Sequence, residues 1–562
     1  MSAQSAIFNP SQTTSAATGD GFSVPRLTTT GRLAIVFGTG DSGMMVYDTT
    51  LDNLFIWNGT AWTSVPDSGD STDTQVIFND NGVLVGDAGL TYTKAEQRLT
   101  VHGNIDIWHG NNPVNTSLAI GRDALDLATT GGANVAIGRR AGNFLSTGSN
   151  SVFVGYQAGL GGGAGSSVAV GASALFANTT GTGNVAVGVN ALLASTAGSN
   201  TAVGSSSLST LTTGDSNTAI GLSSGGGITT GTANIAVGAN ALQGVGTVTG
   251  NYNIGIGSAA LQSPSVISGS DNVGIGRDTL KGLSSGTANV AIGRDAGGSM
   301  SSGNSNTLVG NAAGYGINSA INNTAVGYAA GNVITTGVSN TYVGHSVGSA
   351  NLTGATNTGI GFQALNSATV SDLVAVGANA LVLNTTGLNN TAVGRSALAV
   401  MGANSNSTAL GFNAGRSTTA SRVTAVGSGA LELSTGGDQN TAVGYKALGN
   451  AVLIGGFNTG IGDSAGTSLT TGINNTLIGN NAGANITIGN ANICLGMNAT
   501  CNVVSDSNTL AIGSSGQFVA TNGGATTYYA TATAGAVVPT SFVGYIRIRL
   551  NGTFVKVPIY ND

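Results

Sequence analysis

Two strings in this chain have the spacing of catalytic motifs. Residues 38–43 read GTGDSG, a G-x-G-x-x-G pattern that follows the strand-like LAIVF. Such glycines cradle a pyrophosphate when a helix opens directly behind them, because the helix N-terminus supplies unpaired N–H groups. MMVYD follows instead, a strand pattern, so the string reads as a turn. Residues 462–466 read GDSAG and match the G-x-S-x-G elbow. That chemistry needs a strained strand-to-helix turn, with a histidine and an acid to activate the serine. Ser464 instead holds a variable position that recurs along the whole chain, and it reads as structural.

The remaining chemistry-bearing residues are sparse. His102, His109 and His345 are too scattered for a metal site within one chain, although any of them could form a ring around a three-fold axis. Cys494 and Cys501 make no disulfide framework, and buried filler is the reading for Cys494. Acidic residues are isolated, without the paired carboxylates of a glycosidase. The expectation is a protein with no enzymatic activity, no cofactor and no metal.

Composition points the same way. Of 562 residues, 92 are glycine, and charged residues make up only 7 %. Glycine at that level without a three-residue period excludes collagen, and the regular Val and Ile content argues against disorder. The net charge of −6 and the absence of a Lys/Arg run argue against nucleic-acid binding. The N-terminus has no basic and apolar leader, and no apolar stretch is long enough to cross a bilayer, so membrane insertion is not expected.

What the chain does contain is a repeat. The glycine of AVG, AIG and their variants occurs 24 times between Gly121 and Gly513, mostly 17 residues apart and never fewer than 16 or more than 19. The residue before it is Val, Ile or Leu in all 24 copies, and the residue three before is Val, Ile, Leu or Thr. Between them stands Ala in 15 copies and Gly in 4; four before the glycine, Asn fills 17. After the glycine come two variable positions, then usually Ala, then Leu or Gly.

A 17-residue unit cannot bury its own apolar face, so units must stack. The pattern predicts an all-β fold: a β-solenoid or β-roll of about 24 rungs, each with a strand, a glycine corner, a short second strand and a loop. At roughly 4.8 Å per rung this gives a rod on the order of 115 Å long. Alternation places the Val/Ile pair inward. The small residue between them then faces a neighbouring chain, which makes Ala136, Ala186, Ala236, Ala291, Ala392 and Ala442 candidate packing residues of a parallel homotrimer. The asparagine is expected at a left-handed corner, with its amide bonding adjacent rungs.

Small β modules flank the rod. Residues 1–65 form the first, with strands MMVYD and LFIW and an Asn-Gly turn in WNGTAW; residues 66–113 form a connector with a hairpin about Asn81-Gly82. The shaft spans 114–513. Residues 514–562 close the chain, with YIRIRL and TFVKVPIY forming a hairpin about Asn551-Gly552.

The repeats NVAIGRRAG (134–142), NVAVGVNAL (184–192) and NTAVGYKAL (440–448) resemble the head repeats of trimeric autotransporter adhesins, over about 400 residues. The resemblance implies a left-handed parallel β-roll, trimerised side by side. The ends resemble bacteriophage tail-fibre modules instead: GMMVYDTTLDNLFIWNGTAWTSV (43–65) looks like an N-terminal fibre segment, and GYIRIRLNGTFVKVPIYND (544–562) like a distal tip. That combination implies a virion protein made in the host cytoplasm. The first module would attach to other tail or baseplate proteins, and the last would meet a host glycan or surface protein. Candidate receptor contacts are Tyr528, Tyr529, Tyr545 and Tyr560, which could stack on sugars, with Arg547 and Arg549 for acidic glycans. The alternatives are a bacterial surface adhesin with a β-roll head and a polysaccharide-depolymerising tail spike.

Overall fold

The computed structural model describes residues 24–35, 44–51, 54–64 and 117–513 in full, apart from 129, 163–164, 245, 501–503 and 506, and Asn53 as backbone. Outside these it describes the strands Thr74–Asp80, Val83–Thr93, Arg98–Val101, Ile105–Trp108, Val519–Thr521, Tyr528–Tyr529, Ser541–Leu550 and Thr553–Asn561 as backbone, and of their side chains only that Lys556 is exposed. The string at 38–43, His102, His109 and Cys501 lie outside the described residues. The chain forms two compact units, residues 1–271 and 272–562.

Each unit is dominated by stacked parallel rungs. The first contains nine, from strand Leu118–Ile120 to strand Ile254–Ile256; the second contains fifteen, from Val273–Ile275 to Thr509–Ile512. Neighbouring strands pair in register, so Ala425 faces Ala442 and Ala442 faces Gly460. The fold is an all-β parallel solenoid with the expected period. The rung differs from expectation in one respect. It holds a single three-residue strand, and the segment after the glycine is a run of turns rather than a second strand.

The corners explain the repeat's invariants. Gly444 has φ +135°, and a Cβ there would stand 2.4 Å from the Gly462 carbonyl oxygen of the next rung. A side chain is excluded both by conformation and by the stacked glycine above it. Left-handed backbone recurs at Lys446 (φ 51°) and Leu448 (φ 51°). A non-glycine residue there costs on the order of 1 kcal/mol, which burying a leucine offsets by about 1.5–3 kcal/mol. This accounts for the alternation of Leu and Gly at that position. The asparagine corner is shifted by one residue: the left-handed residue is Gln439 (φ 63°), not Asn440.

Asn440 does bond the next rung. Its Oδ1 accepts the Asn458 backbone N–H at 2.9 Å, and its Nδ2 donates to the Gly455 carbonyl at 2.9 Å. The pattern repeats along the second unit, as from Asn289 to Asn272 and from Asn475 to Asn458. These asparagines are fully buried. Without the amide ladder, the N–H that opens each strand would be buried without a partner.

In the first unit, four short strands near the N-terminus form a sheet. Arg26–Leu27 pairs parallel with Met45–Asp48, which pairs antiparallel with Asn53–Trp57, which pairs antiparallel with Trp62–Ser64. The Asn-Gly turn closes as expected: Asn58 Oδ1 accepts the N–H groups of Thr60 and Ala61, and Gly59 has φ +95°. One short helix, Thr29–Leu33, was not legible as such, and Leu33 of the strand-like LAIVF ends it. Further along, Asp80 opposes Val83 in the second expected hairpin. In the second unit, Leu550 opposes Thr553 in the C-terminal hairpin.

Candidate interaction surfaces

The strand's two faces are the reverse of the expected ones. Ala136, Ala186, Ala236, Ala291, Ala392 and Ala442 are all fully buried inside their own coil and do not reach a neighbouring chain. The physical reason is the narrow lumen. Across from the strand stand the Ala and Leu that follow the glycine, such as Ala447 and Leu448, both buried. Where Gly460 takes the alanine's place, a Cβ would meet Leu448 Cγ at 2.8 Å. The small residue does mark a close approach, but the approach is intramolecular.

The four largest inner residues of the strands occur where a glycine makes room. Phe153 is buried against Gly159, Leu308 against Gly314, Tyr342 against Gly348 and Leu477 against Gly483; a Cβ on each of these glycines would come within 2.6 Å of the ring or leucine. Tyr342 also keeps its hydroxyl paired, accepting from Asn351 Nδ2 at 2.6 Å. Burial raises this phenol's pKa to about 12, against the lowering effect of its bonds with Asn351 and Asn357. Cys494 takes the same inner position.

The Val, Ile and Thr residues therefore face outward. In the second unit Thr441 and Val443 are half-buried, while Ile461 and Ile478 remain 38 % exposed and Leu410 49 %. Most rungs present two such residues and four carry a leucine at one of the positions, so within each unit they form a continuous outward stripe of mainly β-branched side chains. Exposed apolar stripes of this extent mark association surfaces.

A second outward column follows the glycine. Tyr445 is exposed and Lys446 half-buried, with Nζ 5.4 Å from the Tyr445 ring centroid. In the same column His345 stacks between Tyr328 (4.9 Å) and Phe362 (5.3 Å). Ser464 donates to the adjacent Asp463 carboxylate at 2.8 Å, on a rung like the others. Among the described residues, no group of three or more His, Cys, Asp or Glu side chains could hold a metal.

Sequence reasoning missed a buried ion pair in the N-terminal sheet. Arg32 Nε lies 2.9 Å from Asp48 Oδ2, and the guanidinium stands 3.6 Å over the Phe55 ring. Trp62 Nε1 donates to the Arg32 carbonyl at 3.1 Å. Burial pushes the Asp48 carboxyl up. The bonds from Arg32, Thr29, Leu51 and Thr50 together outweigh this and hold it at about 2, below its ordinary 3.8. A depressed carboxyl contributes stability that is present above its unfolded pKa and lost as pH falls through the folded one. The module is therefore expected to loosen between about pH 4 and about pH 2. Acid titration followed by Trp57 and Trp62 fluorescence checks this, and Asp48→Asn should abolish the transition in that window.

Stacked parallel rungs with an outward apolar stripe define a repetitive β-solenoid protein suited to side-by-side assembly. Residues 4–76 match a family model described as a phage tail like trimerisation region. That region includes the Arg32–Asp48 sheet. The match and the solenoid together fit a phage tail fibre with β-roll repeats, and the trimerisation region supports a homotrimer. Neither the curated proteins nor the solved structures return a match.

The candidate receptor contacts lie in the C-terminal strands. Tyr528 and Tyr529 form a short strand antiparallel to Val519–Thr521. Tyr545, Arg547 and Arg549 lie in Ser541–Leu550, and Tyr560 in Thr553–Asn561. The side chains of all six lie outside the described residues.

Proposed function

We propose that this protein is a homotrimeric structural fibre of a phage tail that carries host attachment and has no enzymatic activity. The observation that carries the reading is the trimerisation match at residues 4–76 on a chain otherwise made of β-rungs. In this reading residues 1–65 join the fibre to other tail or baseplate proteins. The outward Thr/Val/Ile stripes of three chains pack against one another. Residues 514–562 meet a host glycan or surface protein, with Tyr528, Tyr529, Tyr545 and Tyr560 among the contacts. Three tips on one fibre, and several fibres on one particle, turn weak single contacts into firm adsorption through effective concentration. The protein acts as a virion component. Among the described residues no helix is long and apolar enough to cross a bilayer.

Competition tests the reading. Purified full-length trimer added to host cells should block phage adsorption, and a variant lacking residues 514–562 should not. Equal blocking by both would move attachment away from the C-terminal module. Release of oligosaccharide from host polysaccharide would instead favour the depolymerising spike.

A further inference from the structure

The amide ladder that links the rungs of the second unit is interrupted twice. At residues 373 and 423, the position four before the corner glycine holds Leu and Val in place of a polar residue. Both still take the bond offered by the rung before. The Leu373 N–H donates to Asn357 Oδ1 at 2.9 Å, and the Val423 N–H to Ser407 Oγ at 3.2 Å. Neither side chain can offer one in turn. The backbone N–H groups of Asn390 and Asn440, at the start of the next strands, meet no acceptor, and both residues are fully buried. Among the described residues of this unit, every other N–H at this position from Asn289 to Thr509 is bonded to the rung before it.

The loss is selective. In an intact rung the asparagine Nδ2 also caps a turn carbonyl fourteen residues on, as Asn340 does for Gly354 at 2.8 Å. At the interruptions these carbonyls keep a partner. Gly387 accepts from Asn384 Nδ2 at 2.9 Å, and Gly437 from Asn440 Nδ2 at 2.7 Å. Both interruptions fall in rungs of sixteen residues, from Gly361 to Gly377 and from Gly411 to Gly427, the two shortest steps in this unit. They bracket three rungs, with strands Thr391–Val393, Thr408–Leu410 and Thr424–Val426. A buried N–H without a partner opposes the closed state, and it regains a bond to water once the strand ends part.

We propose that these two levels are joints of the shaft, where adjacent rungs part locally and the three-rung block between them moves as one piece. Rungs contact only their neighbours, so a joint weakens one interface without unfolding the rest. In a parallel homotrimer the joints of three chains stand at the same levels and become elbows of the fibre. The inference concerns the shaft and does not rest on host attachment.

Hydrogen–deuterium exchange of the full-length protein, resolved to single amides by mass spectrometry, tests it. The reporters are bonded amides that cross each joint: Gly394 to the Val376 carbonyl and Gly444 to the Val426 carbonyl, both at 2.7 Å. Gly327 and Gly479 make the same 2.7 Å bond across intact levels, to Val309 and Ile461. Gly394 and Gly444 should exchange about tenfold or more faster than these references. Leu373→Asn should slow Gly394 alone, and Val423→Asn Gly444 alone, each to the reference level. Asn323→Leu should do the reverse. It removes the acceptor of the Asn340 N–H and should speed exchange at Gly344 by about tenfold or more; this variant carries the test if an Asn variant fails to fold. Equal exchange at all four glycines of the native protein overturns the joints. Fast exchange that both Asn variants leave unchanged, with Asn323→Leu also without effect, overturns the missing amide as their cause and the proposal with it.

Discussion

Replacing Ala442 with tryptophan will unfold the rungs around it while leaving no better-packed alternative. The alanine is fully buried in its own coil, with Ala425 and Gly460 stacked in register on either side. Across the lumen, Leu448 already limits a Cβ at position 460 to 2.8 Å. An indole cannot enter such a space, and expelling it breaks the in-register strand pairing. Overpacking typically costs about 1–3 kcal/mol, and a residue of this size falls at or beyond the upper end. Because rungs contact only their neighbours, the damage should be local: limited proteolysis near residue 442, with distant rungs intact. Lys446→Ala, four residues on, should change stability by less than about 0.5 kcal/mol. Cleavage restricted to subunit contacts, with every rung intact, would contradict the inward placement.

The opposite face predicts the opposite phenotype. Substituting aspartate at Val426, Val443 and Ile461 together should dissociate neighbouring chains while each coil keeps its β signal. These residues occupy the outward position just before the glycine in three successive rungs. Burying what remains exposed of each contributes on the order of 0.5–1 kcal/mol to association. Around a three-fold axis, each aspartate would also face two copies of itself without a cation. Light scattering coupled to size exclusion, and the temperature at which chains separate, measure the outcome. A trimer of unchanged thermal stability would show that the stripe is not the packing surface.

The contrast shows what the sequence made legible. Period, corner glycines, hairpin turns and the inter-rung role of asparagine all follow from local rules that hold for one rung and repeat. The strand's facing did not follow, because the usual assignment of Val and Ile to the interior presumes a lumen wide enough to hold them. The signal that could have corrected it lay in sizes: Ala or Gly before the corner is matched by Leu or Gly after it, and Phe153, Leu308, Tyr342 and Leu477 each coincide with a glycine. The Arg32–Asp48 pair was not legible, since it joins residues of different elements with no repeat to expose it. The aromatic and cationic residues at the C-terminus were legible as types, and pairing Arg547 with Lys556 required the hairpin register.

Tyr342 bears on how such a chain finds its own alignment. Most rungs are interchangeable, so a segment that docks one unit too early would satisfy nearly every backbone bond. Tyr342 is boxed by Gly331, Gly348 and Gly359, where added Cβ atoms would stand 3.1, 2.6 and 3.1 Å from its ring. A slip of one unit would bring Ala375 to the place of Gly359 and set a methyl group against that ring. The odd rungs thus work as keys cut into an otherwise uniform thread, penalising misalignment during folding at the few places where the thread could detect it.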